Sequence, residues 1–391
     1  MPIPARNPLT APKVQSMIPQ HMRAVQLTGH GGLDKLSYRT DVPVPQPQPG
    51  EVLIAVRACG VNNTDINTRT GWYAPSVTTG ITEELATRGV AEDHADLGSW
   101  DRKGLGFPRI QGAAPAGIIV AAGAGADTQR IGTAVVVDPV VRDMSLTRWA
   151  RGVQYVGSER DGGYAQYVAV PEANALPVRS NLTFAELAAL PCAYQTAEEM
   201  QLRTRVGKGD IVVVTGASGG VGSANVQLAK LRGALVVAIA SQDKEARVRE
   251  LGADLFIARG SPDLSGQLGA LVSERGVNVV LDVAGGDDVL HLWRSLSRAG
   301  RFATGGAIAG PMALVDMRDL IYKDLEMYGI ANPEPEAMRN LVRYVEAGSL
   351  RPIVSQVFEL SDLASAQAAF AKKGHVGKIV VDIDNAAGSA A

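Results

Sequence analysis

Short apolar runs broken by turn residues fill the first part of the chain. Longer apolar runs alternating with helical periodicity fill the second. From Met22 to about Val170 the runs RAVQL, EVLIAVRACGV, AGIIVAAG, TAVVVDPVV and YAQYVAV are separated at short intervals by Gly and Pro. This pattern predicts a compact, largely antiparallel β domain. The Pro-rich stretch 42–51, VPVPQPQPGE, reads as a connector leading into a strand.

The pattern changes at about Asn181. Residues Phe184 to Leu190 and the stretch after Tyr194 have helical spacing. The run Ile211 to Thr215 is continuously apolar, as expected of a strand covered on both faces. Val221, Ala224, Leu228 and Leu231 recur at helical spacing and predict a helix from about Gly220 to Arg232. Strands follow at Leu235 to Ala240, at LFIA, at Val277 to Val283 and at Gly300 to Gly306, with a helix around Lys244 to Leu251. Five strands alternating with helices predict an α/β fold with a doubly wound parallel sheet. After Glu334 a helix to Ala347, a strand near Val357, the helix LASAQAAFAK and the strand KIVVDI read as a return to the first domain. The expected division is an arm over 1–21, a β domain over 22–178 and 335–391, and a nucleotide-type domain over 179–334. No internal repeat is visible.

A length of 391 residues fits two domains, and 46% hydrophobic with 20% charged residues is ordinary globular composition. The formal net charge of −2, with both signs well mixed, gives no footprint for nucleic acid or an anionic membrane. Cys59 and Cys192 are the only cysteines, which excludes a disulfide framework and suits a reducing, cytoplasmic setting. The first twenty residues carry five prolines and no apolar run fit for a signal or a membrane span; they read as a flexible arm.

Candidate chemistry concentrates in VVVTGASGGVGSANVQLAK, which follows a buried strand and opens a helix. Glycines there allow a tight turn and close approach of backbone to a pyrophosphate, and the helix start supplies unpaired N–H groups. The spacing Ala217-x-Gly219-x-x-Gly222 is the dinucleotide fingerprint with its first Gly replaced by Ala. Ala217, Ser218, Gly219, Gly220, Val221 and Gly222 are therefore candidate cofactor contacts; the alternative is a plain βα turn. At the end of the second strand, an NAD-selecting site carries Asp or Glu for the ribose 2′-hydroxyl. Here Ala240 and Ser241 stand there, with Lys244 and Arg247 just beyond and Arg259 ending the third strand. The nearest acid, Asp243, lies past the expected position. NADP is expected over NAD, with Ser241, Lys244 and Arg259 at its 2′-phosphate. Arg247 reads as solvated helix charge, an alternative that also stands for Lys244.

Several motifs in order give the chain from about Met22 a resemblance to the medium-chain dehydrogenase/reductase superfamily. They are PGEVLIAVRACGVNNTDINTRTGWY, IQGAAPAGIIVAAG, DGGYAQYVAVP, the glycine turn, DVAGG, GRFATGGAI and HVGKIVV. The resemblance implies a GroES-like catalytic domain split around a Rossmann domain, with substrate in the cleft between them. It implies further cofactor contacts at Thr196, Gly285, Gly305, Gly306 and Lys378, and dimers through the cofactor domain. Zinc members carry Cys in a stretch like CGVCHTD, His and Glu in GHE, and a four-cysteine lobe. Here those catalytic ligand positions read Asn62, Ala113 and Ala114, and two cysteines cannot build the lobe. No metal is expected, and the chain is similar to the zinc-free branch of quinone oxidoreductases and 2-enoyl thioester reductases.

Without zinc, hydrogen-bond donors must stabilise charge on the acceptor oxygen, which suits an activated double bond or quinone better than a simple ketone. The resemblance to enoyl reductases points to Tyr73, after DINTRTGW, as proton donor or enolate stabiliser; packing over the nicotinamide is the alternative. Asn62 and Asn63 are expected to bond substrate oxygen or nicotinamide ribose, and Asp65 to tie down the loop. Cys59 reads as a buried strand cysteine. Two departures stand out. The zinc-free branch usually carries an acid where Ala114 stands. An insert over 74–107, acidic on balance, begins at the expected substrate mouth, as a substrate-selecting lid or a surface loop with its own helix. His94, within AEDHAD, reads as a solvated surface histidine. Zinc-free ketone or aldehyde reduction, and an idle NADPH-binding protein, remain alternative functions.

Overall fold

The computed structural model describes residues 18–90, 104–147, 152–272 and 275–383. Its first half is built on a seven-stranded sheet. In spatial order the strands are Ala175–Pro177, Ala134–Val137, Ala114–Ala122, Glu51–Gly60, Lys378–Asp382 and Val354–Glu359, with Tyr167–Pro171 also pairing with Glu51–Gly60. Glu51–Gly60 runs antiparallel to Ala114–Ala122, Tyr167–Pro171 and Lys378–Asp382. The C-terminal segment thus completes the sheet begun by the N-terminal one. A three-stranded sheet, Leu36–Pro43, His21–Leu27 and Arg109–Ile110, lies beside it. Strand structure begins at His21, within the expected arm.

The second half is a Rossmann sheet of six parallel strands. Their spatial order is Leu255–Ala258, Leu235–Ala240, Ile211–Val214, Val277–Asp282, Leu296–Thr304 and Glu326–Gly329. All four side chains of Ile211–Val214 are buried, because helices cover both faces of the central strand. The chain winds outward in opposite directions from the first strand, so a crevice opens between the carboxyl ends of Ile211–Val214 and Val277–Asp282. Buried Trp293 closes the far face, its ring edge-on to Phe302 at 5.9 Å and its indole N–H donating to the Asp316 carbonyl at 3.2 Å.

Two expectations need correction. The sheet has a sixth strand, Glu326–Gly329, which the pattern does not announce because this edge strand alternates exposed and half-buried positions without an apolar run. Helices Leu264–Val272 and Asp288–Ser295 complete the winding. The helix expected over Phe184 to Leu190 ends at Leu187, and the chain breaks through Pro191 and Cys192, whose φ is 63°, before the helix Gln195–Thr204. Proline cannot donate the helical hydrogen bond and its ring crowds the preceding turn. Beyond the break, buried Glu198 accepts from Arg232 at 2.7 Å and Asn340 at 2.9 Å, tying three helices together.

Candidate active site

The glycine turn forms the wall of the crevice. Gly216 has φ of +53°, and this residue, one before the fingerprint, makes the sharp turn. Ala217 is therefore free to carry a methyl; it is fully buried and its amide donates to the Ile239 carbonyl at 3.0 Å. Gly219 caps the helix Gly220–Leu231, and the first intrahelical bond runs from the Ser223 amide to the Gly219 carbonyl at 2.8 Å. The amides of Gly220, Val221 and Gly222 precede that bond and point out of the helix start, as an anion site requires. A Cβ on Gly222 would lie 2.1 Å from the Gly216 carbonyl oxygen, so helix and strand meet this closely only through glycine. Ser218 lies just before the helix cap, where its carbonyl accepts from the Gly377 amide at 2.9 Å.

Thr196 and Gly305 meet across the crevice: a Cβ on Gly305 would stand 2.8 Å from the Thr196 methyl. The floor comes from the loop before the helix Asn63–Thr70. Lys378, fully buried, donates through Nζ to the Asn62 side-chain oxygen at 2.5 Å and the Val61 carbonyl at 2.6 Å. Asn62 in turn donates to the Gly60 carbonyl at 3.0 Å. Asp65 ties down this loop, accepting from the Asn62 amide at 2.9 Å and the Tyr164 hydroxyl at 2.8 Å. Burial pushes its carboxyl up to about 6, against the pull of the Tyr164 bond. Burial likewise lowers the Lys378 ammonium and raises the Cys59 thiol, which lies fully inside the strand.

Together these groups line one cleft of about 370 Å³. Of the sequence candidates, Asn62, Asn63, Tyr73, Thr196, Gly219, Gly220, Val221, Gly222, Gly305, Gly306 and Lys378 line it. Ala217, Ser218, Ser241, Lys244, Arg259 and Gly285 are outside this lining. Gly285 sits in a turn below the crevice, φ +67°, where its amide donates to Asp282 at 3.0 Å and it bridges to Gly310. Tyr73 is half-buried; desolvation pushes its phenol up to about 12, opposed by hydrogen bonds with Thr64 and Asn67. Tyr155 and Cys192, which sequence reasoning missed, face the same cleft and hydrogen-bond each other.

Beyond the second strand a cluster of cations gathers. Lys244 is buried rather than solvated, and its ammonium donates to the Lys373 carbonyl. Lys373, also missed, donates to Asn63 Oδ1 at 3.0 Å and lies 4.1 Å above the Phe370 ring. Desolvation first, then the Lys244 charge, brings Lys373 down to about 7. Desolvation and the charges of Lys373, Lys244 and Lys378 bring His375 down to about 4. Ser241 is half-buried and its carbonyl accepts from the Lys244 amide at 3.0 Å; Arg259 is exposed, its amide on the Ala240 carbonyl at 2.7 Å. Arg247 pairs with Glu250 on the helix surface at 3.2 Å, as a solvated charge does.

A dianion entering this cluster would favour the charged form of Lys373 and raise its pKa from about 7. Phosphate binding is then expected to take up a proton above neutral pH, and affinity to fall by up to about tenfold per unit as pH rises past that value. Calorimetry at pH 8 in two buffers of different ionisation enthalpy reads the uptake; none, or a release, would place the anion away from Lys373.

Family comparison agrees with this geometry. Residues 48–180 match the alcohol dehydrogenase GroES-like domain and residues 220–347 match a family described as zinc-binding dehydrogenase. The chain belongs to the medium-chain dehydrogenase/reductase superfamily. Fold, glycine turn and family together make it a nicotinamide-dependent oxidoreductase. A crystal structure from Sinorhizobium meliloti 1021, provisionally described as an alcohol dehydrogenase, is 44% identical, with a TM-score of 0.85 over 95% of this chain and 99% of that one. The quinone oxidoreductase of Rattus norvegicus is 26% identical over 92% of this chain and 97% of its own. The chloroplastic NADPH-dependent alkenal/one oxidoreductase of Arabidopsis thaliana is 28% identical over 93% and 80%.

The two groups the family implies fare differently. A dinucleotide fits: the turn presents free amides and the glycines leave room for a phosphate. Zinc does not fit the residues at the implied ligand positions. Ala113 and Ala114 offer no donor, and the Asn62 oxygen already holds a buried ammonium, whose charge would repel a metal cation. Among the described residues no group of three or more His, Cys, Asp or Glu is placed to hold a metal. His94 lies outside the described residues.

Proposed function

We propose that this protein is an NADPH-dependent, zinc-independent reductase of activated double bonds: enones, enoyl compounds or quinones. The observation that carries the reading is the shared cleft, with a protonated phenol, Tyr73, lining it beside the glycine turn, and the Lys378 ammonium bonded to the oxygen of Asn62. The names of the rat and Arabidopsis relatives point the same way. NADPH would lie with its pyrophosphate at Gly219 to Gly222 and its 2′-phosphate near Ser241, Lys244, Lys373 and Arg259. When bound it supplies a hydride to the acceptor carbon. Charge then moves to the acceptor oxygen, and Tyr73, kept neutral by burial, donates a hydrogen bond or its proton. Asn62 holds the Lys378 ammonium in place, and Asn63 does the same for Lys373. Asn62 and Asn63 therefore act as positioning residues.

A panel of enones, enoyl thioesters, quinones and ketones assayed with NADPH tests the reading. Faster turnover of ketones than of enones would overturn it and favour carbonyl reduction, the second reading, which the S. meliloti structure supports by its description. Stoichiometric zinc in active protein would refute the metal-free mechanism. For cofactor choice, Lys244→Ala is expected to weaken NADPH by about tenfold or more while leaving NADH within about twofold, since one charge-assisted bond is worth about 1.5–3 kcal/mol. Equal weakening of both cofactors would remove Lys244 from the 2′-phosphate.

The domain division follows the same reading, with the catalytic unit over 22–178 and 335–391 and the cofactor unit over 179–334. A homodimer through the cofactor domain is also proposed. The strand Glu326–Gly329 ends the sheet with Met327 exposed, and Met312, Leu314, Met317, Ile321 and Tyr322 in the segment leading to it are exposed as well, apolar surface suited to a second copy. Solution mass tests it: a monomer at micromolar concentration would end the idea. No helix among the described residues is long and apolar enough to cross a membrane. A cytoplasmic setting and small-molecule substrates remain part of the proposal.

A further inference from the structure

The chain leaving the helix Asn63–Thr70 makes a long excursion before it returns. It passes Trp72 and Tyr73, runs out to Gly80 and Ile81, and comes back through the helix Glu83–Arg88 to Val90, whose amide donates to the Thr70 carbonyl at 3.0 Å. At its far point the excursion docks on the cofactor half of the protein. The Ile81 amide donates to the Ile308 carbonyl at 3.0 Å. A Cβ on Gly80 would lie 2.5 Å from that same carbonyl oxygen and 2.7 Å from the Ala309 carbonyl carbon, so only glycine permits the approach. Trp72 braces the span by donating to the Thr79 carbonyl at 3.0 Å. Its return helix is anchored by buried Arg69, which donates to the Ala86 carbonyl at 2.5 Å and the Gly31 carbonyl at 2.8 Å.

Trp72, Ile81 and Ile308 all face the cleft that holds Tyr73 and the glycine turn. The cleft therefore has two chemically distinct contributions. Polar groups come from Asn62, Asn63 and Lys378, and apolar ones from the excursion and the Ile308 loop opposite it. An acceptor with a polar head and an apolar substituent matches that division. We propose that segment 72–90 is a strap roofing the acceptor site, and that Ile81 is a specificity-determining residue, limiting the bulk of the apolar substituent the acceptor carries. The proposal rests on the reading of this cleft as a reductase site, and it adds the element that selects among acceptors.

Straight-chain alkenones of increasing length, with NADPH and the full chain, provide the test. Ile81→Ala removes three carbons from the roof and is expected to raise kcat/KM for the longest member relative to the shortest by about tenfold or more, since each methylene in an apolar pocket is worth about 10–200-fold. Ile81→Trp is expected to shift the ranking the other way. NADPH affinity should stay within about twofold in both, because the pyrophosphate is read by the backbone amides of Gly220, Val221 and Gly222, which neither substitution changes. Gly80→Val reports on docking itself: its side chain cannot fit against Ile308, so hydrogen exchange at the Ile81 amide should accelerate and the length ranking should move as in Ile81→Ala. A uniform change along the series, or unchanged ranking in both Ile81→Ala and Gly80→Val, overturns the proposal. If the wild-type protein reduces no alkenone, enoyl thioester or quinone, the reductase reading fails separately. Dissociation constants of the same alkenones for the NADP complex then decide the strap, and an Ile81→Ala profile parallel to wild type would eliminate it.

Discussion

Tyr73→Phe is expected to lower kcat by about 100-fold or more while leaving NADPH affinity unchanged. The magnitude follows from the chemistry assigned to the phenol, since a positioned proton donor contributes about 10²–10⁴-fold and a single oxyanion donor about 10²–10³-fold. The phenol sits in the cleft, with burial holding it up to about 12, so it remains protonated throughout the neutral range. Thr64 and Asn67 hydrogen-bond it and fix its direction. Phe keeps the ring, hence any packing over the nicotinamide, and removes only the hydroxyl. A drop in kcat with unchanged cofactor affinity therefore assigns the hydroxyl to the reaction. Normal kcat and an unchanged KM would leave the ring only a packing role, and a rise in KM for NADPH with normal kcat would assign the hydroxyl to cofactor binding. Accumulation of an unprotonated reduced product that decays at a buffer-dependent rate would separate proton donation from simple charge stabilisation.

The cofactor half was the more legible part of the sequence, for a physical reason. Strands covered on both faces read as continuous apolar runs, as at Ile211–Val214 and Leu235–Ala240, and the phosphate turn is contiguous in sequence. An edge strand such as Glu326–Gly329 has neither property. Its chain pairs on one side only and its side chains follow no strong pattern. The same contrast runs through the site. Gly219 to Gly222 were visible because they act together within four positions. Lys373 was not, because its two partners, Asn63 and Lys244, lie 310 and 129 positions away and no local pattern encodes the meeting. Lys244 was picked out for its charge, but the sequence did not indicate that its head would rest on the Lys373 carbonyl and join the two halves of the protein. Asn62 was expected to reach substrate or ribose and does line the cleft, but the sequence did not indicate that its side-chain oxygen would also hold Lys378. At Pro191 and Cys192 the break itself falls where the helical spacing stops, but the helix before it ends at Leu187, three residues short of the expected Leu190, because the proline ring also crowds the turn ahead of it.

Gly222→Ala is expected to weaken NADPH and NADH alike by about 100-fold or more in a protein that still folds. The added carbon would lie 2.1 Å from the Gly216 carbonyl oxygen, 2.6 Å from its carbon and 2.8 Å from Ala217 Cα. All three are backbone atoms, so no side chain can move aside, and the start of the helix Gly220–Leu231 must pull away from the strand. The amides of Gly220, Val221 and Gly222 travel with it. Losing two hydrogen bonds to a charged pyrophosphate at about 1.5–3 kcal/mol each gives the stated loss. Gly219→Ala provides the comparison. There the new carbon stands 3.4 Å from the Gly216 oxygen, an ordinary contact, and φ of −76° suits any residue. That variant should keep the wild-type melting temperature and lose affinity only by blocking the close approach of the phosphate itself. Fluorescence titration of NADPH alongside thermal melting separates the two effects. If Gly222→Ala binds both dinucleotides as tightly as the wild-type protein, the helix start does not hold the pyrophosphate, and the cleft next to it loses its claim to be a hydride-transfer site.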